Sequence, residues 1–159
     1  MVKALWNFAA ECYARPGVAE ACLHAQDNYA ADVNMLLAAA WLAARGERWQ
    51  HEDVIALTAM CTDWRAHCVL PLREVRRYLK QKMVTEDMYT RVKALELEAE
   101  THQLQLLESM LIDLHHENGR SEDILGHNLR LYFSTLPDAH LIDAAEIDQL
   151  LQRIAPAIQ

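Results

Sequence analysis

Apolar residues recur at intervals of three and four along nearly the whole chain, which is the spacing of amphipathic helices. Alternating runs of β-branched and polar residues, which are typical of strands, are few. We therefore predict an all-α fold, a single-domain irregular bundle of about seven or eight helices over residues 1–159. The predicted helices cover residues 3–15, 18–28, 33–44, 51–67, 71–82 and 86–116, and two more follow Ser121 and Asp143.

The third predicted helix is apolar almost all the way round. Asp32 precedes it as an N-cap, because its carboxylate can accept hydrogen bonds from free N–H groups of the first turn. Gly46 follows it, at a position where glycine commonly adopts a left-handed conformation. A helix without a polar face is typical of a buried position, so we expect this one at the centre of the bundle.

Two later segments affect how the helices are connected. Pro71 either interrupts a continuous helix that starts near residue 51 or lies in the first turn of a new one. The long helix near 86–116 has Thr85 as its N-cap and keeps a helical apolar spacing over roughly four heptads. The residues that keep this spacing are Met88, Val92, Leu95, Ala99, His102, Leu106 and Ser109 or Met110.

Two local expectations concern single side chains. Asp143 and Glu146 have the spacing of a capping box, in which the two side chains bond reciprocally to the backbone at the start of the last helix. Trp49 lies between Arg48 and Gln50 in a predicted loop, so we expect it to be partly exposed.

Composition and charge narrow the class of protein. Hydrophobic residues make up 52% of the 159 residues, as in ordinary soluble domains. Lys and Arg number 15 against 23 Asp and Glu, and the formal charge of −8 disfavours nucleic acid and anionic membranes as partners. No apolar run reaches the roughly 18 residues of a membrane span, and the first residues lack the features of a secretory signal. We therefore expect a cytoplasmic protein.

No residue pattern points to a metal, a cofactor or a catalytic centre. The sequence lacks His-Glu-x-x-His, Gly-x-Ser-x-Gly and a glycine-rich phosphate loop, and its acid–histidine pairs are isolated. The cysteines form no Cys-x-x-Cys pair, so we expect reduced thiols that act as small buried hydrophobes. These cysteines are Cys12, Cys22, Cys61 and Cys68.

A first group of polar residues, Asp27, Asp32 and Asn34, surrounds the junction between the second and third helices. Carboxylate and amide oxygens at such a junction can bind a hard cation or position a polar ligand. The structural alternative is that Asp32 caps the third helix while Asp27 or Asn28 closes the preceding turn. Capping explains Asn34 less well, because a first-turn residue beside buried neighbours needs hydrogen-bond partners. We favour capping within a structural polar network.

A second group is a basic cluster, an exception in this acidic chain. Arginine suits bidentate bonds to carboxylate or phosphate, so an anion site, an RNA contact or an acidic partner would each fit. The alternative, which we favour, is a solvated helix face that pairs with glutamates of the long helix. The cluster comprises Arg65, Arg73, Arg76, Arg77, Lys80 and Lys82, and the glutamates are Glu96, Glu98, Glu100 and Glu108.

Several stretches taken together resemble a known family. They are Leu5-Trp6-Asn7-Phe8-Ala9, Gln26-Asp27, Asp32-Val33-Asn34, Trp64-Arg65, Pro71-Leu72-Arg73 and Arg76-Arg77. Over most of its first 80 residues the sequence is similar to an uncharacterised proteobacterial helical family, a domain of unknown function (DUF2390). The chain departs from the family pattern at Ala30-Ala31, where glycine is favoured. The resemblance implies a small, helical, cytoplasmic bacterial protein. It implies no activity, because none is established for the family.

Three function hypotheses follow. The leading one is a non-enzymatic protein-interaction or adaptor module, in which the helix near 86–116 meets a protein partner or a second copy. The alternative is a small-ligand or anion-binding domain, and it requires both polar groups to line one pocket. Its candidate ligand-binding residues are Asp27, Asp32, Asn34, Arg65, Arg73, Arg76 and Arg77. An enzyme is the third hypothesis, and no reaction class is specified.

Overall fold

The computed structural model describes residues 3–83, 86–113 and 121–159, and these residues form helices and turns without a strand. The all-α prediction is therefore confirmed for the described part of the chain. The α-helices are α1 (Leu5–Tyr13), α2 (Val18–Tyr29), α3 (Val33–Ala44), α4 (His51–Trp64), α5 (Leu70–Gln81), α6 (Glu86–Leu111), α7 (Ser121–Ser134) and α8 (Ala144–Ile154). Short 3-10 turns, Ala139–Leu141 and Ala155–Ala157, flank α8. None of the described helices is both long and apolar enough to cross a membrane.

Helix α3 is the centre of the bundle, as its apolar sequence predicts. Every residue from 35 to 43 is buried, and the helix packs against α1, α2, α6 and α7. Its indole at Trp41 donates to the carbonyl of Lys3, 2.7 Å away, and this bond ties the start of the chain to the core. Burial of each large apolar side chain here contributes about 1.5–3 kcal/mol.

Residues 51–81 form one continuous helix that contains a π turn, Arg65–Val69, between α4 and α5. Pro71 explains the turn, because its ring has no N–H and collides with the carbonyl four residues earlier in a regular helix. The wider turn avoids this collision, and the N–H of Leu70 bonds instead to the carbonyl of Arg65, five residues back. Of the two alternatives for Pro71, the continuous helix is the one observed.

The predicted caps are formed in part. Asp32 accepts from the N–H of Asn34 at 2.9 Å, and Gly46 follows α3 with a φ of 77°. Asp143 accepts from the N–H of Ala145 at 3.1 Å. The capping box predicted there is wrong, because the Glu146 carboxylate lies instead 3.7 Å from Nε2 of His24 on α2.

The prediction that Trp49 is partly exposed is also wrong. The side chain is completely buried, and its indole N–H donates to the carbonyl of Asn128 at 2.9 Å. Asn128 lies on α7, 79 residues further along the chain, so no local pattern marks its contact with Trp49. Tertiary packing thus buries a residue whose neighbours in sequence are polar.

The described part of the long helix is α6, which ends at Leu111 and is followed by a turn at residues 112–113. Thr85, the predicted N-cap, and residues 114–120, where the helix was predicted to end, lie outside the described residues. Helix α6 packs along α5 and also against α1, α3 and α4. These contacts place α6 beside the basic cluster.

Candidate functional site

Both polar groups singled out in the sequence meet at one cleft, which we call the arginine cleft. It has a volume of about 450 Å³ and lies between α1, α2, α3, α5, α6 and the π turn. Six of the seven candidate residues line it: Asp32, Asn34, Arg65, Arg73, Arg76 and Arg77. The seventh, Asp27, is exposed on α2 and does not line the cleft. The geometric condition for the ligand-binding hypothesis is therefore met for six residues.

Asp32 is held in place by four groups at the floor of the cleft. Its Oδ1 accepts from the N–H of Asn34 at 2.9 Å, and its Oδ2 accepts from Nε2 of Gln103 at 2.7 Å. Nη1 of Arg65 lies 3.7 Å from Oδ1. The backbone N–H of Asp32 donates to the hydroxyl of Tyr132 at 2.8 Å. Asp32 thus both caps α3 and anchors a polar network, as the structural alternative predicted.

Arg73 and Arg76 are neutralised by α6. Nε of Arg73 lies 3.0 Å from Glu96, and its Nη2 lies 2.7 Å from Glu100. Arg76 donates to the other oxygen of Glu96. Burial raises the pKa of Glu96, but the hydrogen bonds from Arg76 and Arg73 outweigh burial, so the pKa lies below its usual value. Glu96 and Glu100 are among the partners that the solvated-face alternative predicted. The solvated face itself is wrong for these two arginines, because the side chains of Arg73 and Arg76 are only 17% and 22% exposed.

Arg65 and Arg77 are placed differently from Arg73 and Arg76. The Arg65 side chain is only 20% exposed, and Asp32, at 3.7 Å, is its single ion-pair partner among the described residues. Among the described residues, the Arg65 side chain makes no hydrogen bond, and its contact with Asp32 is too long to be one. The Arg77 side chain makes no ion pair with the described residues. The side-chain amide of Asn34 likewise has no hydrogen bond to the described residues. Arg65, Arg77 and Asn34 therefore provide N–H donors that protein groups have not used.

The remaining wall of the cleft is largely apolar and aromatic. Four arginines against three carboxylates give the lining a formal charge of plus one, in a chain whose overall charge is −8. A cleft with an apolar wall and a few convergent donors suits a small organic molecule that carries one negative charge. The apolar and aromatic lining residues are Trp6, Ala9, Ala10, Tyr13, Leu23, Val33, Leu37, Leu97 and Leu104.

The described residues contain no group of three or more His, Cys, Asp or Glu side chains that could hold a metal ion. Cys12, Cys22 and Cys61 are buried, as predicted, whereas the prediction is wrong for Cys68, which is partly exposed. Burial raises the pKa of Cys12 to about 11 and the pKa values of Cys22 and Cys61 to about 12. These three thiols are therefore protonated near neutral pH and are weak nucleophiles.

The sequence analysis missed Gln103, which is completely buried and holds Asp32. The buried face of α6 runs through Glu96, Ala99, Gln103, Leu104, Leu107 and Leu111. Of the predicted apolar stripe, Leu95 is half exposed, whereas Ala99 is buried. The apolar spacing did not predict that Glu96 and Gln103 lie on the buried face of α6, because both side chains are polar. The signal that remained was their helical spacing from Ala99 and Leu107.

A family model described as a protein of unknown function (DUF2390) matches residues 4–107. The match covers α1 to α5 and most of α6, and so it includes every residue that lines the arginine cleft. No curated protein and no solved structure matches the chain.

Proposed function

The chain belongs to the DUF2390 family of proteins of unknown function, and we propose that it is a binding domain for a small organic anion, held in the arginine cleft. The proposal concerns binding and names no reaction.

The observation that carries the proposal is the state of Arg65. The Arg65 side chain is four-fifths shielded from solvent, yet its single carboxylate partner among the described residues lies 3.7 Å away. A guanidinium that is removed from water loses hydration, and close, hydrogen-bonded anions normally compensate for that loss. A ligand carboxylate or phosphate in the cleft would accept the N–H groups that Asp32 leaves unused.

The neighbouring side chains support the same choice of ligand. Arg77 and Asn34 line the cleft with further donors, and Asp32, Glu96 and Glu100 repel any second negative charge. Trp6 adds an aromatic surface to one wall. The combination favours a ligand with one anionic group and an apolar body.

We expect native mass spectrometry of protein gently purified from a bacterial host to show excess mass that disappears on denaturation. In parallel, purified protein is titrated calorimetrically with hexanoate, benzoate and phenylacetate, each of which carries one negative charge. At least one of the three probes should bind the wild type. Arg65→Gln should weaken that binding about tenfold to a hundredfold, since a hydrogen bond to a charged group contributes about 1.5–3 kcal/mol.

The matched control is Arg130→Gln, which removes an equally charged side chain that is 60% exposed on α7 and does not line the cleft. The control should bind the probes as the wild type does. The proposal fails if none of the probes binds the wild type, or if the two variants bind equally well.

A protein-interaction role is the second candidate, and one observation favours it. Large apolar side chains are exposed on the α5–α6 pair, where Val75, Tyr78 and Leu95 are 43%, 58% and 50% exposed. A photo-crosslinking residue at Leu95 should give one defined intermolecular product in the host cell, and the same residue at Arg130 should give none. Crosslinks confined to the chain itself would contradict this role.

A further inference from the structure

We propose that the anion is a straight-chain carboxylate whose headgroup binds Arg65 and whose hydrocarbon tail occupies a second cavity behind that residue. This inference rests on the proposed function of the arginine cleft and names the ligand class for it.

The second cavity, which we call the tail cavity, has a volume of about 510 Å³. Gln26, Asp32 and Arg65 line both the tail cavity and the arginine cleft, so the two spaces adjoin at these three side chains. Because Arg65 belongs to both walls, an anionic group bound to it lies at the boundary. A chain attached to that group can therefore extend into the tail cavity.

The lining of the tail cavity fits a hydrocarbon chain. Among the residues that the structure describes, its charged lining residues are Asp32 and Arg65, both at the shared boundary. Apart from Gln26, the other lining residues are apolar, aromatic, or the small side chains of threonine and cysteine. Transfer of methylene groups from water to such a surface contributes about 0.8 kcal/mol each, which is about a fourfold gain in affinity. These lining residues are Ala30, Ala31, Met35, Thr58, Cys61, Thr62, Ala66, Leu70, Tyr132, Thr135, Leu136 and Pro137.

The π turn contributes to this arrangement. Arg65 and Ala66 are its first two residues, and both line the tail cavity. The wider turn, which Pro71 requires, places the cation and the beginning of the apolar wall next to each other. Single π turns inside α-helices are frequent at functional sites, and here the turn lies at the boundary between two cavities.

The charge at the boundary favours a carboxylate over a doubly charged phosphate. Arg65 faces Asp32 at 3.7 Å, and one guanidinium beside one carboxylate leaves little excess positive charge for a dianion. A carboxylate needs a single favourable cation and can form two parallel hydrogen bonds with it. The uncharged alcohol of the same chain length should therefore bind much more weakly.

The test uses the full chain and titrates butanoate, hexanoate, octanoate and decanoate by calorimetry, with decan-1-ol as the uncharged probe. We expect the affinity of the wild type to rise about fourfold for each added methylene until the tail cavity is filled. Decan-1-ol should bind at least tenfold more weakly than decanoate.

Three alanine-to-phenylalanine variants locate the tail, and all three change exposed positions. Ala66→Phe fills the tail cavity, Ala10→Phe fills the apolar wall of the arginine cleft, and Ala56→Phe on α4 lines neither space. We expect Ala66→Phe to abolish the gain with chain length while butanoate still binds. Ala10→Phe and Ala56→Phe should keep the gain. Thr62→Phe, also exposed in the tail cavity, repeats the test if Ala66→Phe does not fold.

The outcomes separate the two proposals. If the wild type binds neither these carboxylates nor the aromatic probes named for the arginine cleft, the anion-binding function itself fails. If it binds only the aromatic probes, this inference fails alone. If carboxylates bind but affinity does not rise with chain length, or if Ala66→Phe leaves the rise intact, the tail cavity is not used and this inference fails alone. A loss of the gain in Ala10→Phe instead would place the tail along Trp6 and the other apolar residues of the arginine cleft.

Discussion

Glu96 is a carboxylate on a buried helix face, where an isolated charge would be costly. Two guanidinium groups make the position tolerable, because Arg73 and Arg76 each donate to one of its oxygens. The ion pairs connect α5 to α6 and hold one wall of the arginine cleft in place. Removal of one partner would leave the other charge partly buried without compensation, which costs more than the loss of an exposed pair, for which the median is about 0–1 kcal/mol.

Replacement of Glu96 by glutamine should therefore destabilise the protein. The amide keeps one acceptor but loses the charge, so we expect the free energy of unfolding to fall by about 1–3 kcal/mol, measured by urea denaturation. The matched control is Glu98→Gln, an exposed glutamate on the same helix, which should change stability by less than about 0.5 kcal/mol. Equal effects of the two variants would show that the ion pairs of Glu96 contribute nothing.

The same residue determines a pH dependence. Because the folded state lowers the pKa of Glu96 from 4.5, the unfolded state binds the proton more readily. The stabilisation is therefore complete above pH 4.5 and is lost as the pH falls through the pKa of the folded state. Below pH 4.5 the stability of the wild type should fall more steeply than that of Glu96→Gln, so the difference between them narrows. A constant difference would contradict the lowered pKa.

At the scale of elements, the continuous helix over residues 51–81 depends on how Pro71 is accommodated. The proline is visible in the sequence, but its effect depends on the packing of both flanking segments. Helix α4 contacts α6 and α7, and helix α5 packs along α6, so both halves are held against a common neighbour. Because α6 holds both α4 and α5, the π turn keeps them joined in one helix. In an isolated helix without such packing, a proline would produce a kink or a break.

Pro71→Ala tests this account. Alanine restores an N–H at position 71 and removes the clash, so the π turn can become a regular α-helical turn. Loss of the extra residue of the π turn would rotate the preceding side chains, including that of Arg65, by about 100° around the helix axis. We expect the free energy of unfolding to stay constant or rise by about 1 kcal/mol, while hexanoate binding weakens about fivefold because Arg65 moves. Calorimetry and urea denaturation measure the two effects.

The control for that experiment is Pro156→Ala in the last 3-10 turn, which does not line the arginine cleft or the tail cavity. It should leave hexanoate binding unchanged. Wild-type affinity for hexanoate in Pro71→Ala would show that the proline does not set the position of Arg65.

At the scale of the whole molecule, Asn128 connects three distant segments. It is completely buried on α7, and its amide nitrogen donates to the carbonyls of Ala39 and Glu47 at 3.2 and 3.1 Å. Its side-chain oxygen accepts from the N–H of Trp49 at 3.2 Å. The single side chain thereby satisfies the backbone where α3 ends and the chain turns toward α4.

Asn128→Ala removes three hydrogen bonds that the Asn128 side chain makes to backbone groups of α3 and of the loop after it. We expect the free energy of unfolding, measured by urea denaturation, to fall by about 2–4 kcal/mol. We also expect Trp49 to become exposed in the variant, which a red shift of the tryptophan fluorescence would report. Asn28→Ala on α2 is the control, because Asn28 is exposed and, within the described part of the chain, bonds to His24 of its own helix. An effect of Asn128→Ala as small as that of the control would contradict this role.

Local physical chemistry was enough to predict the all-α class, the central position of α3 and the caps at Asp32 and Asp143, because these depend on helical spacing and on hydrogen bonds between near neighbours. The same reasoning predicted the two polar groups and the glutamate partners of Arg73 and Arg76, but not that these ion pairs are largely buried. The buried face of α6 was predicted wrongly. The spacing of apolar residues does not identify buried polar residues such as Glu96 and Gln103, whose partners lie on other segments of the chain.

Only the tertiary structure decided which polar residues share a space. Asp32 and Arg76 are 44 positions apart, and they line one cleft because α3, the π turn, α5 and α6 pack together. The exposed position of Asp27, the burial of Trp49 against Asn128 and the tail cavity behind Arg65 arise in the same way. Each depends on contacts between distant segments, whose geometry results from packing the whole bundle, whereas the helices themselves depend mainly on residues within a few positions of one another.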